Sequence, residues 1–74
     1  MYIIIEIQTN ANFTVGILTY TADTWRGAQQ IYHEKLAFAA QSTLPRYAVV
    51  LMDNSGNMLE SRYYTTEEEP GEGE

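Results

Sequence analysis

The stretch "YIIIEIQTNANFTVGILTY", residues 2–20, decides the fold. Residues 2–9 and 13–20 are short runs rich in β-branched and aromatic side chains, the composition of strands. Between them "NAN", residues 10–12, offers asparagines for a left-handed position and predicts a three-residue hairpin loop. Facing Thr9 with Phe13 pairs Ile7 with Val15 and Ile5 with Ile17. Ile3, Ile5, Ile7, Phe13, Val15 and Ile17 then share one wholly apolar face.

The C-terminal half repeats the construction. "RYAVVLMD" (46–53) and "NMLESRYY" (57–64) flank "NSG", where Gly56 supplies the left-handed residue of a bulged turn. Pairing Asp53 with Asn57 sets Leu51 against Leu59, Val49 against Ser61 and Tyr47 against Tyr63. Between the hairpins, "TADTWRGAQQIYHEKLAFAAQS" predicts a helix, with Thr21 or Asp23 as N-cap and Pro45 beyond its end. Trp25, Ala28, Tyr32, Leu36, Ala39 and Thr43 recur at helical spacing as one stripe. Ile31 and Phe38 lie to one side of it, over a sheet edge or at an interface.

The predicted architecture is α+β, in the order β-β-α-β-β. It is a four-stranded antiparallel sheet of strand order 2-1-3-4 with one helix on one face. Seventy-four residues make one small domain, here residues 1–65, whose thin core leaves little margin of stability. The net charge of −6 is unevenly placed. "TTEEEPGEGE", residues 65–74, holds five of the ten acids, and residues 1–64 carry four bases against five acids, a charge near −1. Residues 66–74 read as a disordered acidic tail.

These numbers exclude several function classes. With no cysteine there is no disulfide, thiolate or metal–sulfur chemistry. Four scattered bases make no patch for a phosphate backbone, so direct nucleic-acid binding is not expected. Met1 leads into a strand without a basic n-region, and no apolar run approaches a membrane span. The expected setting is the cytoplasm, without a membrane partner. His33 lacks a ligand or acid four residues away, and its neighbour Glu34 diverges from it on a helix. "DNSGN" is too short for a calcium loop and reads as a turn. Gly16 marks a strand bulge or a close approach. No catalytic residue, cofactor site or metal site is expected, and the protein is read as a non-enzyme.

What remains is a surface. The odd-numbered positions of the first two strands, with Val49, Leu51 and Leu59, suit the helix side. Tyr2, Ile4, Leu18, Tyr20, Val50, Met52, Met58 and Tyr64 then fall on the helix-free face, diluted by Glu6, Gln8, Glu60 and Arg62. That is more apolar than a solvated sheet face, and it predicts a protein interface, in its simplest form a homodimer. Two alternatives come from other classes. An acidic protein could occupy a partner's nucleic-acid-binding surface through its tail. A dimer-built groove lined by Tyr2, Tyr20, Tyr47, Tyr63 and Tyr64 could bind a small ligand.

The features "EIQT", "TYTAD", "YHEKLAFAAQS" and "VVLMDNSGNMLES" together resemble a group of small bacterial proteins associated with prophages and other mobile elements of Gram-positive gut bacteria. The resemblance covers most of residues 1–64 and not the tail. It implies an accessory protein of a mobile element and carries no activity with it.

Overall fold

The computed structural model of the chain describes residues 1–66. The tail expected from residue 66 onward lies, apart from Thr66, outside the described residues. The elements are β1 (Tyr2–Thr9), β2 (Val15–Ala22), α1 (Trp25–Gln41), β3 (Arg46–Asp53) and β4 (Met58–Thr65). The sheet is antiparallel throughout, in the order β2-β1-β3-β4, with α1 on one face. The α+β architecture and strand order are those read from the sequence. No helix among the described residues is long and apolar enough to cross a membrane.

The first hairpin differs from expectation by one residue. Its loop is Ala11–Phe13, closed by Asn10 and Thr14 instead of Thr9 and Phe13. The Asn10 N–H donates to the Thr14 carbonyl at 2.8 Å and the Phe13 N–H to the Asn10 carbonyl at 2.8 Å. Asn12 Oδ1 accepts from the Thr14 backbone N–H and hydroxyl at 3.2 and 2.8 Å, and Asn10 Nδ2 donates to Thr14 Oγ1 at 2.9 Å. These side-chain bonds fasten the shifted turn. They also force Phe13 into the left-handed region, φ 68°, with its side chain 75% exposed. Ile7 now pairs with Ile17 and Ile5 with Thr19.

That displacement reverses the two faces of the sheet. Strands β2 and β3 both run antiparallel to β1, so they are parallel to each other and α1 is their crossover. Such crossovers are right-handed. Closing the turn at Asn10 aims the even-numbered N–H groups of β1 toward β2. A right-handed crossover then lays α1 over the even-numbered side chains of β1 and β2. Ile4 and Glu6 are accordingly buried, and Ile3, Ile5 and Ile7 lie on the uncovered face. Gly16 pairs regularly with Gln8, and a Cβ there would meet nothing within 4 Å, so neither a bulge nor a close approach explains it.

The second hairpin closes as expected. Asp53 and Asn57 flank Asn54–Gly56, Gly56 has φ 93°, and the Asp53 N–H donates to the Asn57 carbonyl at 3.0 Å. Asp53 Oδ1 accepts from the N–H groups of Ser55 and Asn57, both at 2.9 Å, and Oδ2 accepts from Asn57 Nδ2 at 3.0 Å. The Asn57 side-chain bond, chief among these, holds the Asp53 carboxyl below its ordinary pKa. Met52 faces Met58, and then Leu59 is an extra residue, a bulge. Past it Leu51 pairs with Glu60, Val49 with Arg62 and Tyr47 with Tyr64. The bulge turns Glu60, Arg62 and Tyr64 toward the helix and Ser61 and Tyr63 away.

Helix α1 begins later than either expected cap. Thr24 is the N-cap, and its Oγ1 accepts from the Gly27 N–H at 3.1 Å. A Cβ on residue 27 would sit 3.1 Å from that oxygen, which favours glycine there. Ser42 caps the other end, and its Oγ accepts from the Leu44 N–H at 3.0 Å. The predicted stripe supplies Ala28, Tyr32 and Ala39 to the core, where they meet Ile4, Tyr47, Val49 and Leu51. Leu36 and Ile31 pack at its margin, and Trp25 lies edge-on to Tyr2 at 5.4 Å. Phe38 is exposed, with Lys35 Nζ 5.5 Å from its ring.

Candidate functional site: an uncovered sheet face and a helix–strand groove

The helix-free face is built from alternate positions of all four strands. It carries Ile3, Ile5 and Ile7 from β1, Val15 and Ile17 from β2, Ala48, Val50 and Met52 from β3, and Met58 and Tyr63 from β4. Ile5 and Val50 are paired at its centre. Ile17 is 62% and Met58 64% exposed. Threonines 9, 19 and 21 and Ser61 make up much of the rest, and none of its positions is acidic. Its only charged residue is Arg46, whose guanidinium lies 4.9 Å over the Tyr63 ring.

Of the eight interface residues expected from the sequence, Val50, Met52 and Met58 lie on this face. Tyr2, Ile4, Leu18, Tyr20 and Tyr64 lie on the helix side instead, because the first turn is displaced and Leu59 is a bulge. Ile4 is fully buried, and Tyr2, Tyr20 and Tyr64 pack against the core. Leu18 sits on edge strand β2 and remains exposed. The corrected face is more apolar than the expected one, since the isoleucines of β1 replace a set containing Glu6, Gln8 and Glu60. The five tyrosines proposed as a ligand groove do not converge: four are on the helix side and Tyr63 is on the other.

Beneath the helix, sequence reasoning missed a polar cluster. Glu6 is 3% exposed, with Oε1 accepting from the Tyr20 hydroxyl at 2.8 Å and Oε2 accepting from the Tyr47 hydroxyl. Gln8 Nε2 donates to Tyr47 Oη at 3.2 Å, and Lys35 Nζ stands 4.5 Å from the Tyr20 ring centroid. Burial, reinforced by the bond to Glu6, pushes the Tyr47 phenol up to about 12. The bond to Glu6 is the main cause raising Tyr20 as well. Both oxygens of a buried carboxyl are thus satisfied by neutral donors. Glu6 and Tyr47 are buried at its centre, and Gln8, Tyr20 and Lys35 are half-buried around them.

A groove of about 490 Å³ runs between α1 and β4, lined by Tyr32, His33, Leu36, Glu60, Ser61 and Arg62. Across it, Gln29 Nε2 donates to Glu60 Oε2 at 2.8 Å, and Gln29 Oε1 lies 2.9 Å from His33 Nε2. His33 therefore has an orienting chain that no local spacing reveals, since Gln29 and Glu60 are 31 residues apart. No group of three or more His, Cys, Asp or Glu side chains among the described residues is placed to hold a metal ion. Comparison of the chain with protein-family models, with curated proteins and with solved structures finds no match to any of them.

Proposed function

We propose that the protein is a non-enzymatic interaction module that pairs with a second copy of itself through the helix-free sheet face. One observation carries this reading: the central strands β1 and β3 present apolar side chains on both faces, while a helix covers only one. Strands with continuous apolar runs belong in sheets covered on both sides. Four eight-residue strands span about 26 by 19 Å, so two such faces bring together about 1,000 Å² in plan, the scale of a biological interface. A bare apolar patch of several hundred Å² is unusual on a monomer.

A second copy suits this face on electrostatic grounds. A two-fold axis near Ile5 and Val50 sets apolar centre against apolar centre, with sheets about 10 Å apart and threonine at the rim. No carboxylate is desolvated, and Arg46 stays at the edge over Tyr63. Together with the resemblance to mobile-element proteins, the reading is of a cytoplasmic accessory protein that works as a dimer.

The test is a sedimentation measurement at micromolar concentration on the full chain and on Val50→Asp. The expected masses are twice 8.4 kDa for the wild type and 8.4 kDa for the variant. Circular dichroism should show that the variant keeps its sheet. A wild type that stays at 8.4 kDa refutes the pairing, and so does a folded Val50→Asp that remains dimeric.

A further inference from the structure

The groove between α1 and β4 contains two polar groups, one buried and one exposed, that make no hydrogen bond or ion pair within the described residues. Tyr32 is 3% exposed, yet its hydroxyl has no hydrogen-bond partner among the described residues. Buried hydroxyls almost always have one, and an orphan calls for an explanation. The Arg62 guanidinium also lacks a partner among the described residues. Its nearest acid along the strand is Glu60, on the same face two positions away, a spacing of about 6.5 Å. The two do not form an ion pair, and Glu60 is held by Gln29 instead. Gln29 in turn faces His33, so one amide on the helix reaches both the imidazole beside it and the acid across the groove.

The result is a base and an acid standing apart, with the Tyr32 ring and Leu36 between α1 and β4 as an apolar floor. A simple anion would suit Arg62 and meet repulsion from Glu60. A simple cation would meet the reverse. A molecule carrying both charges, on two groups attached to one carbon, fits this pair along β4. We propose that this groove binds a free α-amino acid with an apolar side chain. Its carboxylate accepts from Arg62 and the Tyr32 hydroxyl, its ammonium donates to Glu60, and its side chain rests on Leu36. The groove's volume lies within the ~300–1,000 Å³ of small-molecule sites. This site is on the helix side of the sheet and does not depend on the dimer.

Three probes separate the two charges: L-leucine, N-acetyl-L-leucine without the ammonium, and L-leucinamide without the carboxylate. Each is titrated into the full chain while backbone amide resonances are followed by NMR. Leucine should give saturable shifts centred on residues 32–36 and 60–62, and each analogue should bind roughly tenfold more weakly, the loss of one charge-assisted bond. Arg62→Gln, at an exposed position without a partner, should weaken leucine by a similar factor and leave the remaining spectrum in place. Val50→Asp should bind leucine as the wild type does. Absence of shifts in the groove overturns the proposal. So does N-acetyl-leucine binding as well as leucine, or leucine binding unchanged in Arg62→Gln.

Discussion

Tyr32 and Tyr47 are both buried core tyrosines, and removing their hydroxyls should have opposite consequences. Tyr47→Phe takes away one of the two donors to Glu6, itself 3% exposed, and removes the acceptor of Gln8. A hydrogen bond to a charged group is worth ~1.5–3 kcal/mol, and the partner left behind keeps its desolvation cost. We expect Tyr47→Phe to destabilise the fold by about 2–3 kcal/mol. For a domain this small that is a large share of a total near 4–11 kcal/mol, and it lowers Tm by roughly 10–20 °C. Tyr32→Phe makes the same chemical change where the hydroxyl has no partner among the described residues. It should be neutral or stabilising by up to about 1 kcal/mol. The assay is urea unfolding followed by circular dichroism, at one fixed protein concentration because self-association shifts apparent stability. Equal losses for the two variants would refute the reasoning, as would a larger loss for Tyr32→Phe.

Two further outcomes follow from backbone and titration. Phe13→Gly should stabilise the protein by about 1 kcal/mol, since it relieves a left-handed residue and removes a side chain that is 75% exposed; a lower urea midpoint would count against the turn as described. Tyr47 has a pKa near 12 in the folded state against an ordinary value near 10, so its contribution is complete below pH 10 and is lost as pH rises through 12. At full ionisation this amounts to about 3 kcal/mol at most. Tyrosinate absorbance and circular dichroism recorded together should show a last-ionising phenol whose titration coincides with unfolding, and Tyr47→Phe should abolish that final phase.

The two turns show what can and cannot be read from residues alone. At Asn54–Gly56 the glycine occupies the left-handed position, so the second turn was legible. In the first turn Asn10 and Asn12 are both plausible there, and the residue that takes it is Phe13, against its own preference. The decision lies in side-chain bonds among Asn10, Asn12 and Thr14, which composition does not reveal. One residue of error then passed through the handedness of the crossover and exchanged the faces of β1 and β2. Element order and strand order survived, because they depend on the number and direction of the strands and not on which residues face the helix. The Leu59 bulge has no local signal either. Glu6, Tyr20 and Tyr47 meet only in three dimensions, as do Gln29 and Glu60. An apolar uncovered face was anticipated, yet most of its members were not.

Strand β1 is made before the other three strands, is one of the two inner strands of the sheet, and has β3 as its partner on one side. The pairs joining them, from Thr9 with Arg46 to Tyr2 with Asp53, span 37 to 51 residues of chain. A hairpin alone is barely stable in water, so the β1–β2 ribbon must wait for most of the polypeptide before anything holds it. During that interval "YIIIEI" is sticky on both sides. The growing chain is then most exposed to misassembly with its neighbours, and crowded expression at high temperature is where losses to aggregates should be greatest.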